Sequence, residues 1–143
     1  MGKKRIVKKG GSNEGGAPAR NSSRVPKKKV AAGTLHIEAT FNNTKVVVTD
    51  KQGNTIFWSS AGSLGFKGAK KGTPFAATKV GETLGEKSAA LGIKEVDVVI
   101  TGVGSGREPT IRGFMSNNID VTGIRDITPV PHNGPKPKKP RRV

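Results

Sequence analysis

The stretch that most constrains how this chain can fold is Val96 to Arg112, which reads V-D-V-V-I-T-G-V-G-S-G-R-E-P-T-I-R. A β-branched apolar run of this kind suits a pleated, buried strand. It ends in three alternating glycines, Gly102, Gly104 and Gly106, followed by Arg107, Glu108 and Pro109. Glycine lets the backbone turn sharply and approach a neighbour closely. Proline in a first helical turn loses only a donor that has no intrahelical acceptor. The stretch therefore predicts a strand, a glycine loop and a helix N-terminus in immediate succession. Free N–H groups and the helix dipole at such a junction favour an anion, and Arg107 and Arg112 would reinforce it.

The flanking sequence supplies the remaining elements. Leu35, Ile37, Ala39 and Phe41 alternate with His36, Glu38 and Thr40, the period of a half-buried strand. Asn42-Asn43 reads as a two-residue turn, with Thr44–Thr49 as the returning strand. A second turn at Asp50–Asn54 leads into a third strand, Thr55–Ser60. After a glycine-rich segment with Lys67, Lys70 and Lys71, Thr73-Pro74 has the residues of an N-cap and first helical position. Ala77, Val80, Leu84, Ser88 and Leu91 recur at helical spacing before Gly92, a C-terminal stop. Gly81 and Gly85 inside this helix suggest close packing on the sheet. Val96–Thr101 is the fourth strand, Pro109 to Asn117 a short helix, and Ile119–Thr128 a fifth strand in which Gly123 marks a bulge. The order β-β-β-α-β-α-β predicts an α/β single domain with a mixed five-stranded sheet flanked by helices.

Charge divides the chain differently. Of the net +16, residues 1–29 hold +9 and residues 131–143 hold +5, which leaves +2 between them. Both ends lack the apolar residues a core requires, so they read as flexible basic tails. The domain reading is a basic extension over 1–32, a globular unit over 33–130 and a basic, proline-rich tail over 131–143. Charge concentrated in this way calls for a polyanionic partner, nucleic acid above all. A membrane surface is disfavoured, because neither tail has an amphipathic face. There is no cysteine, hence no disulfide framework and no thiolate metal site. With no apolar leader and no membrane-length run, the sequence reads as that of a soluble intracellular protein.

Catalytic readings of the glycine loop fail on spacing. A Walker loop needs lysine and a hydroxyl after its last glycine, where this chain has Arg107-Glu108. The dinucleotide fingerprint lacks its third glycine, and neither Ser63 nor Ser105 stands in a G-x-S-x-G frame. His36 and His132 are far apart, and the carboxylates Asp50, Glu95, Asp97, Asp120 and Asp126 read mostly as solvent-facing strand and turn residues. The sequence therefore predicts no catalytic residue, no metal, no cofactor and no small-molecule substrate. The scarce aromatics Phe41, Phe57 and Trp58 read as strand residues of the core or sheet face. That argues against single-strand platforms and for recognition of folded RNA by shape and backbone. Two rivals are an enzyme of phosphate chemistry using the glycine loop and a nucleic-acid chaperone using only its tails.

Six motifs narrow the choice: Phe41-Asn-Asn-Thr44, Gly65-Phe-Lys-Gly68, Thr73-Pro-Phe-Ala-Ala77, Gly102-x-Gly-x-Gly-Arg-Glu108, Thr110-Ile-Arg112 and Asp126-Ile-Thr-Pro-Val-Pro-His-Asn-Gly134. In this order, over residues 33–143, they resemble the ribosomal protein S11 family of the small subunit, in its bacterial or organellar form. Val103 and Ser105 stand where that family usually carries prolines, and Pro135 where it often carries cysteine. The resemblance implies a ribonuclease-H-like arrangement without nuclease activity. It also implies a place on the small-subunit platform, in a cytoplasmic or organellar ribosome, near the messenger path. The implied partners are 16S-type rRNA and neighbouring small-subunit proteins. Its RNA-facing positions map to Asn42, Asn43, Lys67, Lys70, Lys71, Arg107, Arg112, His132, Asn133 and Gly134. Charge adds Lys136, Lys138, Lys139, Arg141 and Arg142 of the tail.

Overall fold

The computed structural model describes residues 29–142. Most of the expected N-terminal extension, residues 1–28, lies outside the described residues. Five strands form one sheet in the order β3-β2-β1-β4-β5, with β1 at Ala32–Ala39, β2 at Thr44–Asp50, β3 at Thr55–Ser60, β4 at Glu95–Thr101 and β5 at Asp120–Asp126. β2 is antiparallel to β1 and β3, while β1, β4 and β5 pair in parallel. This mixed order is the ribonuclease-H-like arrangement that the resemblance implies.

Alternation selects the buried face. Leu35 and Ile37 lie opposite Val48 and Val46 on β2 and opposite Val98 and Ile100 on β4, and all six are buried. Helix α1, Pro74–Leu91, closes over this face with Ala76, Val80, Leu84 and Leu91, and α2, Arg107–Met115, contributes Phe114 to the same core. Both helices thus pack on one side of the sheet. β5, at the sheet edge, is exposed along almost its whole length.

The helix ends follow from their sequence. The Thr73 hydroxyl accepts from the Ala76 amide, Pro74 occupies the first helical position, and Gly92 closes α1 in the left-handed region at φ 94°. The Gly92 and Ile93 amides bond to the Ala89 and Ser88 carbonyls, which satisfies the last turn. Three details differ from the sequence reading. Helix α2 starts at Arg107, with Pro109 two residues in, still inside the turn whose N–H groups have no intrahelical acceptor. The β5 bulge falls on Thr122, since Val121 pairs with Val96 and Gly123 with Asp97. The Thr122 hydroxyl bonds back to the Val96 carbonyl, holding the extra residue in place. Finally, Gly81 and Gly85 face α2 and not the sheet: a Cβ at Gly81 would strike the Thr110 carbonyl, and one at Gly85 the Asn117 amide.

Candidate nucleic-acid interface

Parallel strands β1 and β4 end at the same edge of the sheet, and loops gather beyond the carboxyl ends of strands, where α/β proteins generally bind ligands. Three loops meet there. The β1–β2 turn is closed by the Thr40 amide bonding to the Asn43 carbonyl at 2.8 Å and by the Asn43 amide bonding to the Thr40 hydroxyl at 3.0 Å. The glycine loop lies against this turn: the Gly104 amide donates to the Ala39 carbonyl at 2.9 Å, and a side chain on Gly102 or Gly104 would strike the backbone of Ala39 or Thr40. A 3-10 turn, Gly68–Gly72, forms the third wall, tied to the glycine loop by the Ser105 hydroxyl donating to the Gly72 carbonyl at 2.8 Å.

The turn geometry revises one expectation. Phe41 was expected to continue the strand, but β1 ends at Ala39 and the Thr40 hydroxyl caps the turn. The tip is therefore Phe41-Asn42, one residue earlier than Asn42-Asn43, and Phe41 stands 77% exposed. Asn42 is exposed beside it, while Asn43 is half-buried with a side-chain oxygen that has no partner among the described residues. Phe57 is buried in the core, and Trp58 points out of the opposite sheet face, 65% exposed.

The cations fall into two groups. Lys67, Lys70 and Lys71 lie in or beside the 3-10 turn and form no ion pair among the described residues. Arg107 and Arg112, by contrast, have internal partners. The Arg107 guanidinium donates to the Gly102 carbonyl at 3.2 Å and to the Asp126 carboxylate, bridging the start of α2 to the end of β5. Arg112 pairs with Glu108 one turn back along α2, with both side chains about three-quarters exposed. The Gly102 amide donates to the Thr128 hydroxyl at 3.1 Å. Two of the loop's N–H groups thus hold β1 and the β5 exit, so this loop works first as a clamp.

Asp126 completes the clamp. Its carboxylate accepts from the Thr128 hydroxyl and amide and from Arg107; these partners, Thr128 foremost, hold its pKa below the usual carboxylate range. The D-x-T pattern at 126–128 is a local side-chain-to-backbone signal that could have disclosed this contact in advance. Beyond Thr128 the chain leaves the fold at this same corner. His132, Asn133, Gly134, Lys136, Lys138, Lys139, Arg141 and Arg142 are all exposed and outside regular structure, with Asn133 in the left-handed region at φ 62°. The structure thus gathers the Asn42–Asn43 turn, the lysine turn, Arg107 and the root of the basic tail at one end of the sheet. Arg112 is set further along α2, lining a groove with Pro74, Phe75 and Pro109.

Among the described residues, no group of three His, Asp or Glu side chains could hold a metal ion, and no helix is long and apolar enough to cross a membrane. Compared with known families, residues 33–142 match the family model described as Ribosomal protein S11.

Proposed function

The chain belongs to the ribosomal protein S11 family, structural proteins of the small ribosomal subunit that bind rRNA, and from that premise we propose that it holds folded 16S-type rRNA on the platform, beside the messenger path. Membership covers a component of a cytoplasmic or an organellar ribosome, working among other small-subunit proteins. The observation that carries the finer reading is the gathering of three loops and the tail root at one end of the sheet. Among the described residues, Lys67, Lys70 and Lys71 lie there without an ion pair, beside the exposed cations of the tail.

In this reading the chain works in three parts: a basic extension over 1–32, a rigid unit over 33–130 and a basic tail over 131–143. The rigid unit supplies shape. Lys67, Lys70 and Lys71 contact phosphates directly, and Asn42 and Asn43 offer amide groups to backbone or sugar. Arg107 keeps guanidinium donors beyond those given to Gly102 and Asp126, and these reach a phosphate as a fixed fork. Arg112 extends the basic surface along α2. His132, Asn133, Gly134 and the five cations from Lys136 to Arg142 follow the RNA away from the corner, ordering on it as they neutralise phosphate. The protein contributes geometry and charge, and no bond is made or broken.

Sucrose-gradient sedimentation of lysate at rising salt tests this reading. Retention on the small subunit through the wash is the expected result, with loss when Lys67, Lys70 and Lys71 are replaced together by alanine. A chain that washes off early and spreads over all RNA, or a triple variant retained like the parent, would show that the loop corner does not direct binding.

A further inference from the structure

Parallel strands are ordinarily covered on both faces, yet among the described residues α1 and α2 lie on one face, and no element covers the other face of β1, β4 and β5. The registers define what that bare face displays. Trp58 lies opposite Val47, Val47 opposite His36, His36 opposite Val99, and Val99 opposite Arg125. One row therefore crosses all five strands, about 19 Å from end to end at the usual strand spacing. Trp58 is 65% exposed at one end, and Arg125 is exposed at the other. Two shallow hollows flank the row, one of about 270 Å³ beside His36, Lys45 and Val47 and one of about 190 Å³ beside Val99 and Arg125.

Charge identifies the class of occupant. Lys45 and Arg125 share this face with Glu38, Glu95, Asp97 and Asp120, with Lys45 and Glu38 paired at 3.3 Å. In a chain of net +16, this patch, where carboxylates outnumber cations, repels a polyanion. An aromatic anchor beside aliphatic residues, edged by charges of both signs, has the composition of a protein interface. The shape selects further. A helix is about 10–12 Å across, which fits over Val47, His36 and Val99 between Trp58 and Arg125 as side walls. Seven-residue strands give it a bed of about 23 Å, or about 15 helical residues. The whole face is roughly 500 Å², below the approximately 800 Å² per partner of a standard interface, so it suits one helix and not a globular body.

We propose that an amphipathic helix of a neighbouring small-subunit protein seats on this face, its apolar stripe on Val47 and Val99 against the Trp58 ring and an acidic side chain toward Arg125. That helix supplies a layer absent among the described residues. The assignment rests on the ribosomal reading, because the subunit is what brings the neighbour to the face. The chain's own N-terminal residues 1–28 are a poor match, with Ile6, Val7 and Val25 as their only large aliphatic side chains.

The chain has no cysteine, so Val99→Cys places a single thiol on the face, and Val47→Cys gives an independent second reporter. Maleimide modification is timed for the full chain alone, on 16S-type rRNA alone, and in the complete reconstituted small subunit. The thiol should react freely in the first two states and at least about thirtyfold more slowly in the third, the factor expected of a buried anchor site. Trp58→Ala combined with the thiol should restore the reaction and leave rRNA retention unchanged. Protection already present on rRNA alone would overturn the proposal in favour of RNA. Protection in the free chain that disappears on deleting residues 2–28 would overturn it in favour of the chain's own extension. Equal reactivity in all three states would show that nothing covers the face. Failure to enter the subunit at all, read from the same gradients, would count against the ribosomal reading instead.

Discussion

Replacing Gly81 with alanine sets two known effects against each other. Gly81 sits in the interior of α1, where alanine favours the helix over glycine by about 1 kcal/mol. Yet a methyl group there would strike the Thr110 carbonyl oxygen and come within 3.0 Å of the Phe114 amide nitrogen on α2. Both obstacles are backbone atoms, so no rotamer change relieves the clash, and the helices must part. Overpacking costs about 1–3 kcal/mol, and an immovable obstacle argues for the upper end. The expected net effect is a destabilisation of about 2 kcal/mol, or a fall in Tm of about 10 °C for a domain near 100 residues. Gly85→Ala is the comparison. Its methyl would meet the side-chain nitrogen of Asn117, which can swing aside at the cost of its 3.3 Å bond to the Glu82 carbonyl, although the Phe114 carbonyl would remain at 2.9 Å. Its loss should be smaller, about 1 kcal/mol. Thermal unfolding of the full-length variants, followed by far-ultraviolet circular dichroism, measures both. Because α2 begins at Arg107, parting the helices also displaces the glycine loop, so retention on salt-washed subunits should fall in the same order. A rise in Tm for Gly81→Ala would refute the reasoning, since helix propensity would then outweigh a contact that is not as close as the structure has it.

Three further predictions concern the loop corner. Phe41→Ala should leave Tm unchanged but weaken rRNA binding by about tenfold, the loss of one aromatic stacking contact, measured by filter binding at fixed salt; equal binding would mean that the exposed ring meets no base. Arg107→Lys should assemble less well than the parent when the two compete for limiting rRNA, because an ammonium cannot span Gly102, Asp126 and a phosphate at once; equal incorporation, read by mass spectrometry of gradient fractions, would remove that role. Acid should loosen the corner. The Asp126 pKa is depressed in the folded state, so its contribution is fully present above the unfolded carboxylate value, near 4, and is lost as pH falls through the lower folded value. Asp50, in the β2–β3 turn at the other end of the sheet, is depressed in the same direction, chiefly by the Asn54 side chain, so Asp126→Asn and Asp50→Asn should each flatten the acid limb of stability against pH, while an unaltered limb would assign acid sensitivity elsewhere.

The periodic and capping signals in the sequence were legible because each depends on a few neighbouring residues. Alternation at Leu35, Ile37 and Ala39 picks the buried face, and Thr73-Pro74 and Gly92 bound α1 with groups that act within one turn. What the sequence concealed depends on partners distant in the chain. Arg107 looked like an anion ligand because its local setting is a helix N-terminus, whereas Asp126, nineteen residues on, claims part of its guanidinium. Gly81 and Gly85 announced a close approach without naming the surface approached, since either the sheet or α2 would satisfy the pattern. Phe41 continued an alternation that a hydroxyl one residue earlier cuts short.

Arg107 and Phe41 belong to the same corner and bear on how it works. A glycine loop whose amides bond to Ala39 and Thr128, and whose arginine reaches Asp126, joins the ends of β1, β4 and β5 before any ligand arrives. Groups held in this way lose less freedom on binding, so more of each contact's energy is realised as affinity. The tail cations, exposed and outside regular structure, lack such ties, and on the proposed reading each is ordered as it binds. On that reading, rigid corner and tail therefore divide the work: the corner fixes where on the RNA the protein sits, and the tail adds salt-sensitive affinity once it is there. If that division is right, shortening the tail should lower the dependence of binding on salt without moving the site, whereas disturbing the Arg107–Asp126 bridge should broaden the site while the salt dependence stays nearly the same.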